Sequence, residues 1–541
     1  MGHALTLGTA VLGLLLVAAA SGAGTVATRP VAKPPFKLLY NNDATNVWSC
    51  ASPFHKRGEP ITDKAIAGSI DEVADKGVDC YLLSPGLGHY PWWKSTLIPD
   101  HVGQWKEETG LEPDAYGQYL LAGGDWVKVL VERCRKHGMA PFVSLRLNDV
   151  HMMEYAGEKH PRSGWCSRFY RDHPEYWVVP DHKTRWPKGY NHNRGLNWAE
   201  PAVRAYKLSL ITELCERYDL DGFELDFLRD HVMFRKTFPL AKRAEIITGF
   251  VRKVRALLDR TAKPGQHRWL SARVPLELRR WAATGLDVKR LTGAGVEMLN
   301  CSGWYCTIPY QDIAKIRKLA PPHVAIYQEL THSAGSLAFV GRRTPYGTPG
   351  HPRTWDPQFT TTAHLAYARG ADGISLFNFV YYRSGGDQQP WIEREPPFHL
   401  LPRLRDPEWL AKQAQTYWLA PWVYFTQVRR PIEPGKARSY RLDIALPQRT
   451  LKPAARLRLH TQNPFGDAAL AVTFNGTALE PTDDVGPLLD NPYDRMLSDA
   501  PRRRAYTVPT KLLRDGINTV RVTLKQAKKA IKIMWLDLAV E

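Results

Sequence analysis

The chain is poor in the residues from which several kinds of protein are built. Cysteine occurs seven times in 541 residues, too thinly for a disulfide scaffold, and the odd number leaves at least one thiol unpaired within the chain. There is no CxxC pair, no HxH and no HExxH, so the sequence offers no ready metal site and implies no cofactor. No GxGxxG follows any apolar run, which removes the support for a doubly wound dinucleotide-binding sheet. Acidic residues are outnumbered, 54 against 73 Lys and Arg, for a formal net charge of +19. That balance favours acidic partners.

Long hydrophobic runs are lacking too, with one exception. ALTLGTAVLGLLLVAAA, from Ala4 to Ala20, carries no charge and is followed by small residues from Ser21 to Gly24. It reads as a signal peptide over residues 1–23, with the mature chain exported to the periplasm, the extracellular space or the cell surface and left without a stable membrane span. Only His3 precedes the run, so an uncleaved anchor is the competing reading. Nucleic-acid binding fits the charge, but neither the export signal nor any recognised motif supports it.

What is present is an ordinary apolar content, 44%, with an aromatic excess of 18 Trp and 23 Tyr. From Phe36 to Pro421, eight β-rich runs alternate with helix-like stretches. PFVSLRLNDVH (141–151), DGFELDFL (221–228), RWLSARVP (268–275) and VAIYQEL (324–330) are typical of the first kind, and Pro201–Tyr218 of the second. That count predicts an α/β fold, a (β/α)8 TIM barrel over 34–421. The runs begin almost continuously apolar, as strands covered on both faces do, and end in polar and aromatic residues. From 423 to 541 the pattern becomes short strands at regular intervals without helices, which predicts a C-terminal antiparallel β-sandwich, jelly-roll-like and a candidate carbohydrate-binding unit. It holds twenty Lys and Arg against twelve Asp and Glu.

The sharpest local signal is RYDLDGFELDFLRD (217–230). Side chains alternate along a strand, so Glu224 and Asp226 share one face, about 6–7 Å apart, while Phe223, Leu225 and Phe227 share the other. Two acids turned into a barrel need compensation. Arg146 on the third strand and Arg273 on the fifth are placed to supply it from both sides. Glu329, ending the seventh strand with Tyr327, faces the mouth from the opposite wall. One protonated and one charged carboxyl is the division of labour in glycoside cleavage, which makes Glu224, Asp226 and Glu329 the candidate catalytic residues. The competing reading is an internal ion-pair network that closes the barrel. Asp149 and His151 are candidates for proton transfer or binding. Asn148, Asn300 and Asn378 suit sugar hydroxyls, and Trp92, Trp93, Trp304 and Trp48 suit sugar ring faces.

LNWAEPAVRAYKL (196–208), ERYDLDGFELDFLRD (216–230), SLRLNDVH (144–151) and RDHPEYWV (171–178) resemble the family-10-like glycosyl hydrolase group of secreted barrel glycosidases. The likeness spans Phe36–Pro421 and is most specific between Ser144 and Asp230. It implies export, a barrel, hydrolysis of a glycosidic bond in a poly- or oligosaccharide, and the acids of DGFELD as site residues, without implying a particular sugar. The sequence departs from the chitinase-type DGxDxDxE pattern, because Leu228 stands where the last Glu would be. The tail resembles the galactose-binding-type sandwich in VTFNGTALEP (472–481) and LLRDGINTVRVTLK (512–525). A non-catalytic glycan-binding or cell-surface scaffold protein is the alternative. The positive balance favours uronic or sulfated sugars, though basic surfaces also occur on enzymes for neutral ones.

Overall fold

Eight runs rich in apolar residues, most of them ending in polar ones, close on themselves in chain order. In the computed structural model, strands β1 (Leu38–Asn42), β2 (Cys80–Leu83), β3 (Ala140–Arg146), β4 (Gly222–Asp226), β5 (Trp269–Pro275), β6 (Met298–Ser302), β7 (Ala325–Thr331) and β8 (Gly373–Phe377) form a closed parallel barrel, β8 pairing back onto β1. The structure describes residues 32–43, 47, 52–56, 58–88, 90–98, 103–155, 164–179, 194–310, 312–336, 352–383, 395–421, 427–428 and 430–541. The N-terminal apolar run and Trp48 lie outside them. No helix among the described residues is long and apolar enough to cross a membrane.

Strand alternation sorts the side chains as the sequence predicts. Phe223, Leu225 and Phe227 join the main core between barrel and helices. The barrel interior is apolar only at its floor, where Phe36, Leu39, Phe142, Met298 and Tyr327 cluster. Above that floor the register brings polar residues into rows: Ser144, Glu224 and Ser271 in one, and Arg146, Asp226, Arg273 and Asn300 in the next.

The helix Pro201–Arg217 begins on a proline, whose missing N–H costs nothing in the first turn. It buries two charged residues, Lys207 and Glu213, and both hold the loop after β2. Glu213 accepts from Trp93 Nε1 at 2.9 Å, Ser95 Oγ at 2.8 Å and the Thr96 backbone, while Lys207 donates to the carbonyl of Gly88. Gly88 has φ +72°, and a Cβ there would stand 1.9 Å from the Arg146 carbonyl, so only glycine lets this loop lie on β3.

Strands β9 (Gln415–Leu419), β10 (Ala437–Ile444), β11 (Ala454–Thr461), β12 (Ala469–Phe474), β13 (Thr477–Ala478), β14 (Glu480–Thr482), β15 (Arg503–Pro509), β16 (Gly516–Gln526) and β17 (Ile533–Val540) form two antiparallel sheets, ordered β10-β16-β12-β13 and β14-β15-β11-β17-β9. Tyr440, Leu457, Val472, Phe474, Val520 and Leu538 belong to the core of this unit. Its edge strand β9 comes from the stretch assigned by sequence to the end of the barrel segment. Trp418 of β9 packs with Trp535, Ala334 and Leu497 and donates to the Ala334 carbonyl at 2.8 Å, joining sandwich to barrel.

Candidate active site

The polar interior of the barrel has two tiers. In the lower one Glu224 is wholly buried and accepts four neutral hydrogen bonds: Asn41 Nδ2 at 2.9 Å and Ser144 Oγ at 2.7 Å on one oxygen, Ser271 Oγ at 3.0 Å and Asn300 Nδ2 at 3.1 Å on the other. Burial, reinforced by the charge of Asp226, outweighs those donors and pushes its pKa up to about 7.

The upper tier lies at the C-terminal ends of the strands, where barrels of this kind carry their sites. Arg273 is fully buried between two acids. Its Nε and Nη2 donate to Glu329 at 2.6 and 2.7 Å, and its Nη1 donates to both oxygens of Asp226 at 3.2 and 3.1 Å. Ser302 closes the Glu329 side, and the Arg273 guanidinium lies 4.1 Å from the centre of the Phe377 ring. Burial would loosen the Arg273 proton, but the two carboxylates more than reverse that and raise its pKa.

A second clamp of the same kind stands on β3. Arg146 donates to Asp149 at 2.8 Å and to Asp43, just past β1, at 3.0 Å. With its amide nitrogen turned toward Asp43, Asn378 donates to both of that carboxylate's oxygens, at 2.7 and 3.1 Å. Asp149 pairs with His151 Nδ1 at 2.5 Å and accepts the His151 backbone N–H at 2.8 Å. Burial opposes charge on Asp149, but His151 and Arg146 prevail and hold the carboxyl well below its usual range. The His151 side chain is 32% exposed, where those of Asp149 and Glu329 are sealed. Arg229 connects the clamps: it lies 3.3 Å from His151 Nε2, donates to the Tyr305 hydroxyl at 3.3 Å and faces the Tyr305 and Phe377 rings.

The rim is also where the backbone is strained. Met152 and Trp304, after β3 and β6, have φ of 65° and 70°, a region unfavourable to large side chains and found disproportionately at functional sites, while Asn378 after β8 has φ 49°, which asparagine tolerates. Trp304 is half-buried beside His231, Leu276 and Arg280 in a small recess next to the mouth.

Several expected positions are corrected. Arg146 serves Asp43 and Asp149 rather than the β4 acids, because those carboxylates reach its guanidinium first. Glu224 is sealed below the mouth by side chains from β1, β3, β5 and β6, so it is placed to support the site and not to touch a ligand. Asn300 spends its amide on Glu224, and Asn148 spends its own on the backbone of Leu196 and Val232. Tyr327 points to the floor and donates to the Phe36 carbonyl at 3.0 Å. Trp92 and Trp93 are no ligand platform: both are buried, Trp92 between Tyr116, Trp126 and Trp165, and Trp93 on Glu213. Sequence reasoning overlooked Asn41, Asp43, Ser302 and Arg229. For the first two a signal existed, since LLYNND alternates Asn41 and Asp43 onto one face at the end of β1. Among the described residues no group of three or more His, Cys, Asp or Glu is placed to hold a metal ion.

No family model matches the chain. No similar protein was found among curated sequences. Solved structures similar to it include the GH36 α-galactosidase AgaA from Geobacillus stearothermophilus (11% identity, 91% of this chain and 56% of that one, TM-score 0.35). The PgaB (BpsB) glycoside hydrolase domain from Bordetella bronchiseptica is another (10%, 69% and 99%, TM-score 0.41). A family GH18 chitinase from Chromobacterium violaceum is a third (11%, 92% and 88%, TM-score 0.39). A thiamine phosphate pyrophosphorylase from Pyrococcus furiosus also matches, with a TM-score of 0.26. At such scores these likenesses carry no argument about activity. The chain spans 51–57% of the length of the first three structures matched.

Proposed function

We propose that the chain is an exported glycoside hydrolase that cleaves a poly- or oligosaccharide at the C-terminal rim of its barrel. The observation that carries this reading is the meeting of Asp226 from β4 and Glu329 from β7 on one buried guanidinium, Arg273, at the end of the barrel where loops and strained residues gather. Both are buried, Asp226 at 3% exposure and Glu329 at none, so Asp226 is the member of the pair nearer the surface. It supplies the carboxylate, as nucleophile or as base for water, and Arg273 and Glu329 hold it in place. His151, part-exposed and oriented by Asp149, is the group placed for proton transfer at the rim, once its Nε2 turns from the neighbouring Arg229 toward the leaving oxygen. Trp304 and Tyr305 at the rim offer faces for sugar rings.

The site does not share the basic character of the whole chain. Asp43, Asp149, Asp226 and Glu329 are balanced there by Arg146, Arg229, Arg273 and a proton-carrying His151, so no excess of positive charge is left for a uronic or sulfated sugar and a neutral one fits better. The sealed and saturated Glu224 favours a second reading, a non-catalytic glycan-binding protein whose interior acids only close the barrel. Turnover separates the two. On a panel of neutral oligosaccharides we expect hydrolysis by the intact chain and a loss of kcat of at least about 100-fold in Asp226→Asn, with ligand affinity kept. Saturable binding without product, or an Asp226→Asn variant as active as the parent, favours the binding protein.

A further inference from the structure

On the same face of the barrel, between the loops that follow β7 and β8 and the 488–493 stretch of the C-terminal unit, lies a cleft of about 690 Å³. That volume falls within the range of small-molecule sites, which favour junctions between domains. Trp355, Pro397, Leu488, Leu489 and Tyr493 give it apolar walls. Most of its charges are paired: Asp356 with His399 at 2.7 Å, Glu395 with Arg383 at 2.8 Å and Glu541 with Lys452 at 2.7 Å, while Asp490 adds an exposed carboxylate. The lining therefore combines ring and apolar surface with carboxylate and imidazole groups at its edge, and among the described residues it holds no unmatched cation to draw a polyanion.

Both walls are tied into hydrogen-bonded structure. Trp355 stands at the start of the helix Asp356–Ala368, its N–H donating to Gln358 Oε1 at 3.3 Å and its carbonyl accepting from the Gln358 and Phe359 N–H groups at 2.8 and 3.1 Å. Opposite, Asp494 next to Tyr493 is held by Arg458 at 2.8 Å, which in turn grips Asp537 at 2.9 Å. One short loop joins cleft to mouth. Tyr381 stacks on His332 at 4.9 Å, His332 meets Tyr305 edge-on at 5.9 Å, and the next residue, Tyr382, lines the cleft.

We infer that this cleft is an accessory subsite for a neutral oligosaccharide: it holds sugar units beyond the one placed at the mouth, with ring faces on Trp355 and hydroxyls on Asp356 and His399. The C-terminal unit thereby becomes part of the binding site instead of a separate module. The inference rests on the glycosidase reading for the identity of its ligand but is tested apart from turnover. In an Asp226→Asn chain, titration calorimetry with hexasaccharides and disaccharides of the malto-, cello-, xylo- and chito-series is expected to give tighter hexasaccharide binding in at least one series. Trp355→Ala and, on the facing wall, Leu488→Asp each weaken that hexasaccharide at least ten-fold and the disaccharide less than two-fold, while thermal unfolding shows both variants folded. Hexasaccharide affinity in the wall variants equal to that of the Asp226→Asn chain, no preference for length, or binding in none of the four series overturns the subsite. If length-dependent binding on Trp355 holds but the unsubstituted chain cleaves nothing, the subsite stands and the hydrolase reading falls. If cleavage proceeds with the same KM for long chains in the parent and in Trp355→Ala, the reverse is true.

Discussion

Glu224 shows how much chemistry a single buried side chain concentrates. Its two oxygens are met by donors from four other strands, so deleting it strands Asn41, Ser144, Ser271 and Asn300 in a closed interior. Glutamine fits the same space, because the buried Asn41 Oδ1 and Asn300 Oδ1 have no hydrogen-bond partner and either amide can turn to receive an N–H. With a folded pKa near 7 against an ordinary 4.5, the native state binds more protons than the unfolded chain between those values. The stability this confers is complete below the unfolded pKa and is lost as pH rises through 7. Chemical denaturation is therefore expected to show the parent losing, on the order of 3 kcal/mol, against Glu224→Gln between pH 4 and pH 8. A gap that stays constant with pH would place the proton elsewhere.

At the scale of elements, the helix Pro201–Arg217 does more than cover the sheet. Its buried Glu213 and Lys207 fasten the loop after β2 onto β3, which presents Asp149 and His151 at the mouth. Burial lowers the Lys207 pKa from 10.5 to about 7. The unfolded chain thus binds more protons between pH 7 and 10.5, so the penalty is complete below 7 and fades as pH rises toward 10.5. Lys207→Met removes that penalty but leaves the Gly88 carbonyl without its donor, which offsets part of the gain. The variant is expected to be more stable than the parent by about 2 kcal/mol at pH 6 and to lose the advantage by pH 10, as followed by unfolding in urea. A variant less stable at both pH values would show that the bond to Gly88 outweighs the buried charge.

At the scale of the molecule, barrel and sandwich do not meet as loosely tethered modules. The backbone N–H of Thr416 on β9 donates to Thr361 Oγ1 at 2.8 Å, and Arg369 pairs with Asp443 at 2.7 Å. The helix Asp356–Ala368, buried along most of its length, carries both barrel partners or adjoins them. A chain ending at residue 414 would uncover that helix face together with Ala334. Such a truncation is expected to aggregate, eluting in the void volume on size exclusion, whereas two independent modules would leave a monomeric, cooperatively unfolding barrel.

The fold was legible in the residues because periodicity is local. Eight apolar runs with polar ends and intervening helices lead to a closed parallel barrel, and strict alternation in GFELD turned Glu224 and Asp226 inward. Pairing by strand neighbourhood also placed Arg273 against Asp226. Depth was not legible. Glu224 and Asp226 read alike, yet one is sealed by Asn41, Ser144, Ser271 and Asn300 and the other reaches the rim; Tyr327 shares a face with Glu329 but its ring drops to the floor. Nor did the sequence say that Arg146 would choose Asp43 and Asp149, or that Trp92 and Trp93 would be buried against distant rings and Glu213. Those outcomes depend on which remote groups arrive first around a buried charge or ring once the barrel closes, and closure is settled by long-range geometry that no window of sequence contains.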